Sequence, residues 1–151
     1  MKKEDELRKF RDLNLATLDY LHELSDLNFD IPETDSTYYE HMKVLVQDCF
    51  ESGSLTKLKN WFDDLSETPR EVLDLSFNDY IQEKTGYEVN IHKKFEMRIS
   101  EILQRNRIKS NQEYRDVETK VNYLSELENG DEVLINELNE LLLSYYRRKI
   151  R

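Results

Sequence analysis

Metal chemistry in a helical protein needs His and carboxylate side chains at i, i+3 or i, i+4 spacing, and this chain has three histidines with which to build it. A di-iron bundle takes two Glu-x-x-His pairs and two further inward Glu residues. Only Asp19-x-x-His22 approaches that pattern; at the same spacing His41 follows Tyr38 and His92 follows Val89. Glu88, His92 and Glu96 share one face at i, i+4, i+8 if their helix begins early, and the plainer reading is a solvated charged face. Cys49 is the one thiol. It lies between Val46 and Phe50 in an apolar stripe, which suits a core cysteine better than a nucleophile. No Gly-x-Ser-x-Gly, phosphate-cradling glycine loop or His-Glu-x-x-His is present. Adjacent carboxylates such as Asp63-Asp64 point in different directions from a helix, and 32 acidic residues make some adjacency unavoidable. These residues assign no catalytic role, no metal and no cofactor, so the expectation is a protein that is not an enzyme.

Two other groups of residues carry binding chemistry. Lys93, Lys94, Arg98, Arg105, Arg107 and Lys109 form a basic patch in sequence, set in an acidic chain. They can contact phosphate, or they can serve as internal counter-charge for acidic neighbours, which is the plainer reading. The terminal Arg147-Arg148-Lys149-Ile150-Arg151 reads as a frayed tail complementing the helix dipole rather than as a binding arm. Nine tyrosines occur, and Tyr38-Tyr39 and Tyr145-Tyr146 are adjacent pairs. Neighbours on a helix point about 100° apart. One of each pair is therefore expected inside and one at the edge, where tyrosine makes a good interface residue. All four are candidates for an interaction surface.

The elements that must position these groups are helices. Three glycines and two prolines in 151 residues are too few for the turns of a sandwich or barrel. Charged residues make up 36% of the chain, which helices tolerate because each needs only one apolar stripe. Seven segments can be read. The first runs from Lys3 to Leu27, with Phe10, Leu13, Thr17, Leu21 and Leu24 along one face, and the pattern breaks around Pro32. Thr37 and Glu40 make a capping box before the stripe Met42, Leu45, Val46, Cys49, Phe50, and Gly53 ends that helix. Ser54 caps a third, with Leu55, Leu58, Trp61, Phe62 and Leu65 inward. Thr68-Pro69-Arg70-Glu71 reads as the start of a fourth, which runs on to Gly86. A fifth begins near Asn90 and shows Phe95, Ile99 and Ile102. Ser110 caps the sixth, Asn129-Gly130 stops it, and Asp131 caps the seventh. The last two have matching stripes and a short turn, the pattern of an antiparallel helical hairpin.

Within 107–147 that hairpin carries Ile108-Lys109-Ser110, Glu113-Tyr114, Leu124, Gly130-Asp131-Glu132, Leu138, Leu141 and Tyr145. In these residues it resembles the helical hairpin of HigA-type antitoxins. The resemblance implies a helical module of a protein that binds and silences a toxin. In that family the hairpin precedes a DNA-binding helix-turn-helix. None follows Tyr145 here, and the best upstream candidate, within residues 55–84, would offer the duplex a reading helix of net negative charge. DNA binding is therefore not carried over.

The formal net charge is −10, unevenly placed. Residues 1–91 hold 10 Lys/Arg against 21 Asp/Glu, a net −11, and residues 92–109 hold six against two, a net +4. Such a chain repels nucleic acid and anionic membrane and attracts basic partners. No signal-peptide pattern and no run of about 20 apolar residues is present, which points to the cytoplasm. The fold expected is all-α, a bundle of six or seven helices ending in the hairpin, in a single domain 1–151 with a sub-boundary near 86–90. The function expected is a protein–protein interaction module, in its sharpest form an inhibitor or antitoxin-like protein that covers a basic partner. The alternatives are an enzyme or small-ligand-binding protein with its site in a helical cavity, and a nucleic-acid binder acting through 92–109.

Overall fold

The computed structural model describes residues 2–27 and 36–150. The irregular stretch at 28–35, around Pro32, lies outside them. The described residues form eight α-helices and no strand: α1 (Lys3–Leu27), α2 (Ser36–Glu51), α3 (Leu55–Leu65), α4 (Glu67–Glu71), α5 (Ser76–Thr85), α6 (Lys93–Arg105), α7 (Asn111–Glu126) and α8 (Glu132–Lys149). The all-α architecture is as the sequence indicates. The chain divides into two compact units, Met1–Ile91 and His92–Arg151, beside the change of charge at residues 86–90.

In the first unit α1 is the central element and packs against α2, α3 and α5. A helix surrounded by others needs apolar residues on more than one face, and α1 has them. Leu7 and Leu18 join Tyr39, Val46 and Leu58 in one buried cluster. Leu13, Ala16 and Tyr20 join Phe62, Phe77 and Ile81 in another. Each large apolar side chain buried in this way contributes about 1.5–3 kcal/mol. Between the two clusters, buried Asn14 donates its amide to the Phe10 carbonyl at 2.7 Å and to the Leu58 carbonyl at 2.9 Å, which ties α1 to α3. Thr17, also buried, turns its hydroxyl back to the Leu13 carbonyl at 2.7 Å.

The helix expected from Thr68 to Gly86 is two helices. Ser66 stands at the junction where α3 gives way to the five-residue α4, so Thr68 lies inside a helix instead of capping one. The chain then breaks at Leu73, whose φ of +53° is left-handed, an uncommon conformation for a leucine. Helix α5 restarts at Ser76 and ends at Gly86, whose φ of +78° and N–H bond to the Gln82 carbonyl make the expected left-handed stop. Trp61 is half-buried at the margin of its cluster, while Leu58 and Phe62 of the same helix are buried.

The second unit is built from α6, α7 and α8. Phe95, Ile99 and Ile102 form the buried stripe of α6. Ser110 Oγ accepts the Glu113 N–H at 3.1 Å, and Asp131 Oδ1 accepts the Leu134 N–H at 3.1 Å, so both expected caps are made. Tyr145, near the end of α8, donates to Asn111 Oδ1 at the start of α7 at 2.6 Å, which sets the two helices antiparallel. The turn between them has no room at Gly130, where a Cβ would lie 2.2 Å from the Leu124 carbonyl oxygen.

Candidate functional site

The tyrosine pairs divide as helical geometry requires. Tyr39 and Tyr145 are 7% and 8% exposed and belong to the interior; Tyr38 and Tyr146 are 49% and 55% exposed. Tyr39 stacks on His22 with ring centroids 4.6 Å apart, and Tyr145 packs against Tyr114 at 5.4 Å. Of the four candidates for an interaction surface, Tyr38 and Tyr146 are therefore the accessible ones.

The basic patch of the sequence separates into two roles. Arg98 Nε lies 3.0 Å from the Asp116 carboxylate, and Arg105 pairs with Glu113 while its Nε donates to the Arg107 carbonyl at 3.0 Å. These two arginines are internal counter-charges that hold α6 to α7 and to the connection before it. Lys93, Lys94, Arg107 and Lys109 are exposed. They stand in two groups at opposite ends of α6. The lysine pair opens α6 and Arg107 follows its end, so the helix from Phe95 to Arg105 stands between them, about 16 Å at ~1.5 Å per residue. Lys120, outside the patch, binds Glu96 of α6 at 2.9 Å.

Glu113 was visible in the sequence only as a capping residue. Its carboxylate also accepts the Lys109 N–H at 2.7 Å. Burial pushes this carboxyl up, but the Lys109 amide and the Arg105 guanidinium together outweigh burial and hold it below the usual glutamate value. Asp116, 1% exposed, gave no sequence signal beyond its place one residue before Val117. Arg147, Arg148 and Lys149 are not frayed: α8 continues to Lys149, and Arg148 donates to the Ile108 carbonyl at 2.9 Å.

The metal constellations do not assemble. His92 is buried just before α6, which starts at Lys93, so Glu88 lies outside the helix and the i, i+4, i+8 face is not formed. Asp19 pairs with Lys43, and His22 lies beside Asp26 at 3.8 Å. Among the described residues no group of three or more His, Cys, Asp or Glu side chains is placed to hold a metal ion. Cys49 is partly buried against the Val46–Leu58 cluster, in keeping with its stripe.

A polar network that the sequence did not reveal joins α1 to the start of α5. Tyr20 donates to Asp74, Ser76 Oγ donates to the same carboxylate at 2.6 Å, and the Tyr80 hydroxyl donates to Glu23 at 3.2 Å. The two phenol rings lie 4.8 Å apart. Burial, with the neighbouring carboxylates Asp74 for Tyr20 and Glu23 for Tyr80, pushes both phenols up to about 12. Raised values keep these hydroxyls protonated as donors, which suits positioning and opposes nucleophilic use.

The acidic character of the first unit is displayed on its surface. Asp63 and Asp64 on α3 and Glu67 and Glu71 on α4 are all exposed, and none of them makes an ion pair among the described residues. Val72, 68% exposed, follows directly. The nearest basic residue in sequence, Arg70, is turned onto Ser66 Oγ at 2.9 Å. No helix of the described residues is long and apolar enough to cross a membrane. Compared with protein families, curated proteins and solved structures, the chain matches none of them.

Proposed function

We propose that this chain is a protein-binding module whose acidic first unit covers a basic surface on a partner protein in the cytoplasm. The observation that carries the reading is the partition of charge: residues 1–91 hold a net −11, and residues 92–151 hold 12 Lys/Arg against 11 Asp/Glu, a net +1. The exposed run Asp63, Asp64, Glu67, Glu71 is, among the described residues, an unpaired part of that field, with Val72 beside it as an apolar contact. Complementary charge of this kind steers encounter and raises association rates more than it raises final affinity. The likeness of residues 107–147 to the antitoxin hairpin supports the sharpest version, an inhibitor or antitoxin-like protein whose target is a basic protein. The separation of Lys93 and Lys94 from Arg107 and Lys109 speaks against a continuous track for nucleic acid.

Affinity capture from the native host at low salt, followed by association kinetics with the captured partner, tests the reading. A basic partner is expected, with an association rate that falls steeply as salt shortens the Debye length from ~10 Å at 0.1 M to ~3 Å at 1 M. The quadruple variant Asp63→Asn, Asp64→Asn, Glu67→Gln, Glu71→Gln should associate about tenfold more slowly, with dissociation nearly unchanged. An association rate indifferent to salt and to these four substitutions would remove the acidic surface as the cause of binding.

A further inference from the structure

The structure brings together two basic segments that are some forty residues apart in sequence. A pocket of ≈ 190 Å³ lies between the connection that follows α6 and the last turns of α8, lined by Asn106, Arg107, Ile108, Leu141, Ser144 and Arg148. Among the described residues no carboxylate lines it, in a protein with 32 acidic residues and a net charge of −10. Hydrogen bonds hold the backbone of its 106–108 rim. Asn106 closes α6 in the left-handed conformation at φ +58°, the Arg107 carbonyl is held by Arg105 Nε at 3.0 Å, and the Ile108 carbonyl by Arg148 Nη2 at 2.9 Å. Ile108 and Leu141 are buried and form the apolar part of the lining.

We propose that this pocket binds a phosphate group. Two guanidiniums match the double charge of a phosphate monoester better than the single charge of a carboxylate. The Ser144 hydroxyl and the Asn106 amide add neutral donors for its remaining oxygens. The Arg107 side chain makes no ion pair among the described residues, so it meets an incoming anion without first giving up a partner. The volume leaves room for the oxyanion and a small substituent against Leu141. The site lies within the second unit and is independent of the acidic surface of the first.

The test uses the full chain, titrated with inorganic phosphate and separately with phenyl phosphate at constant ionic strength, followed by backbone amide shifts. Saturable shifts confined to residues 106–108 and 141–148 are expected with at least one probe. Tighter binding of phenyl phosphate would identify a phosphorylated organic molecule as the ligand, and equal binding would identify free phosphate. Arg107→Gln should weaken either by about tenfold or more, the loss of one charge-assisted hydrogen bond. Arg148→Gln gives up the Ile108 contact as well and can unsettle the fold, so Arg107→Gln, whose side chain supports nothing else, is the deciding variant. Shifts that never saturate, that sodium chloride reproduces, or that Arg107→Gln leaves unchanged would overturn the proposal. So would a short duplex DNA that binds more tightly than either probe and loses that binding when Lys93 and Lys94 are neutralised.

Discussion

Arg98 and Asp116 form an ion pair whose two halves live in different solvents: the aspartate side chain is 1% exposed and the arginine side chain 44%. Gln112 Nε2 supplies the aspartate with a second contact at 3.2 Å. The inequality makes the two single substitutions unequal. Arg98→Ala leaves a buried carboxylate without its cation and should cost about 2–3 kcal/mol. Asp116→Asn frees an arginine that can turn into water and should cost under ~1 kcal/mol. Urea unfolding of both variants measures the difference; equal losses would show that the pair acts only through packing.

Glu113 gives the second unit an acid-sensitive joint. Its folded carboxyl titrates below the ordinary value of 4.5, so the stability it contributes is fully present above that value and is lost as pH falls through the folded value. Wild-type protein should lose stability faster than Glu113→Gln as pH is lowered from about 5 into the acid range. Parallel denaturation midpoints for the two proteins across that range would contradict the assignment.

The tyrosine network behaves in the opposite sense. Tyr20 and Tyr80 are raised from 10.0 to about 12, so the stability drawn from their hydrogen bonds is complete below pH 10 and disappears as pH rises through about 12. Phenolate absorbance should show late-titrating groups that Tyr20→Phe and Tyr80→Phe remove one at a time. If either substitution left the late part of the curve intact, that phenol would not be engaged as described.

Core substitutions should rank by burial rather than by size. Phe77 is fully buried between Tyr20 and the Leu13 cluster, and Phe77→Ala should cost about 3–5 kcal/mol. Trp61, larger but half-buried, should cost less on truncation, about 1–3 kcal/mol. A tryptophan variant that proved the more damaging of the two would place Trp61 at the centre of its cluster.

Local cap chemistry was legible at Ser110 and Asp131, but not at Ser54, whose side chain makes no cap hydrogen bond, nor at Thr68, which lies inside α4. Ser110 and Asp131 are caps because a short acceptor three residues before a free N–H is a purely local arrangement, and both hydrogen bonds form. The division of each tyrosine pair follows from helical twist alone. The break at Leu73 was not legible, because no glycine or proline marks it. Its left-handed turn sits beside Asp74, which receives the hydroxyl of Tyr20 from 54 residues away, and a tertiary contact of that range leaves no trace in a window of sequence. The fourth helix of the sequence reading fails there for that reason. The pocket at Arg107 and Arg148 was equally hidden: each arginine belongs to a basic run with an ordinary explanation, and only the antiparallel return of α8 places them around one cavity.

The central position of α1 also sets an order of events during synthesis. Helix α5, which closes one of the two apolar faces of α1, begins about fifty residues after α1 ends. At ~5–20 residues per second, that interval is about 3–10 s. Through it Leu13, Ala16 and Tyr20 await Phe77 and Ile81, and contacts of such separation form late. The second unit, whose main contacts join successive helices, has no such wait. A nascent chain halted before Ser76 would therefore present an uncovered apolar face, and the cell would meet it as a client for chaperones.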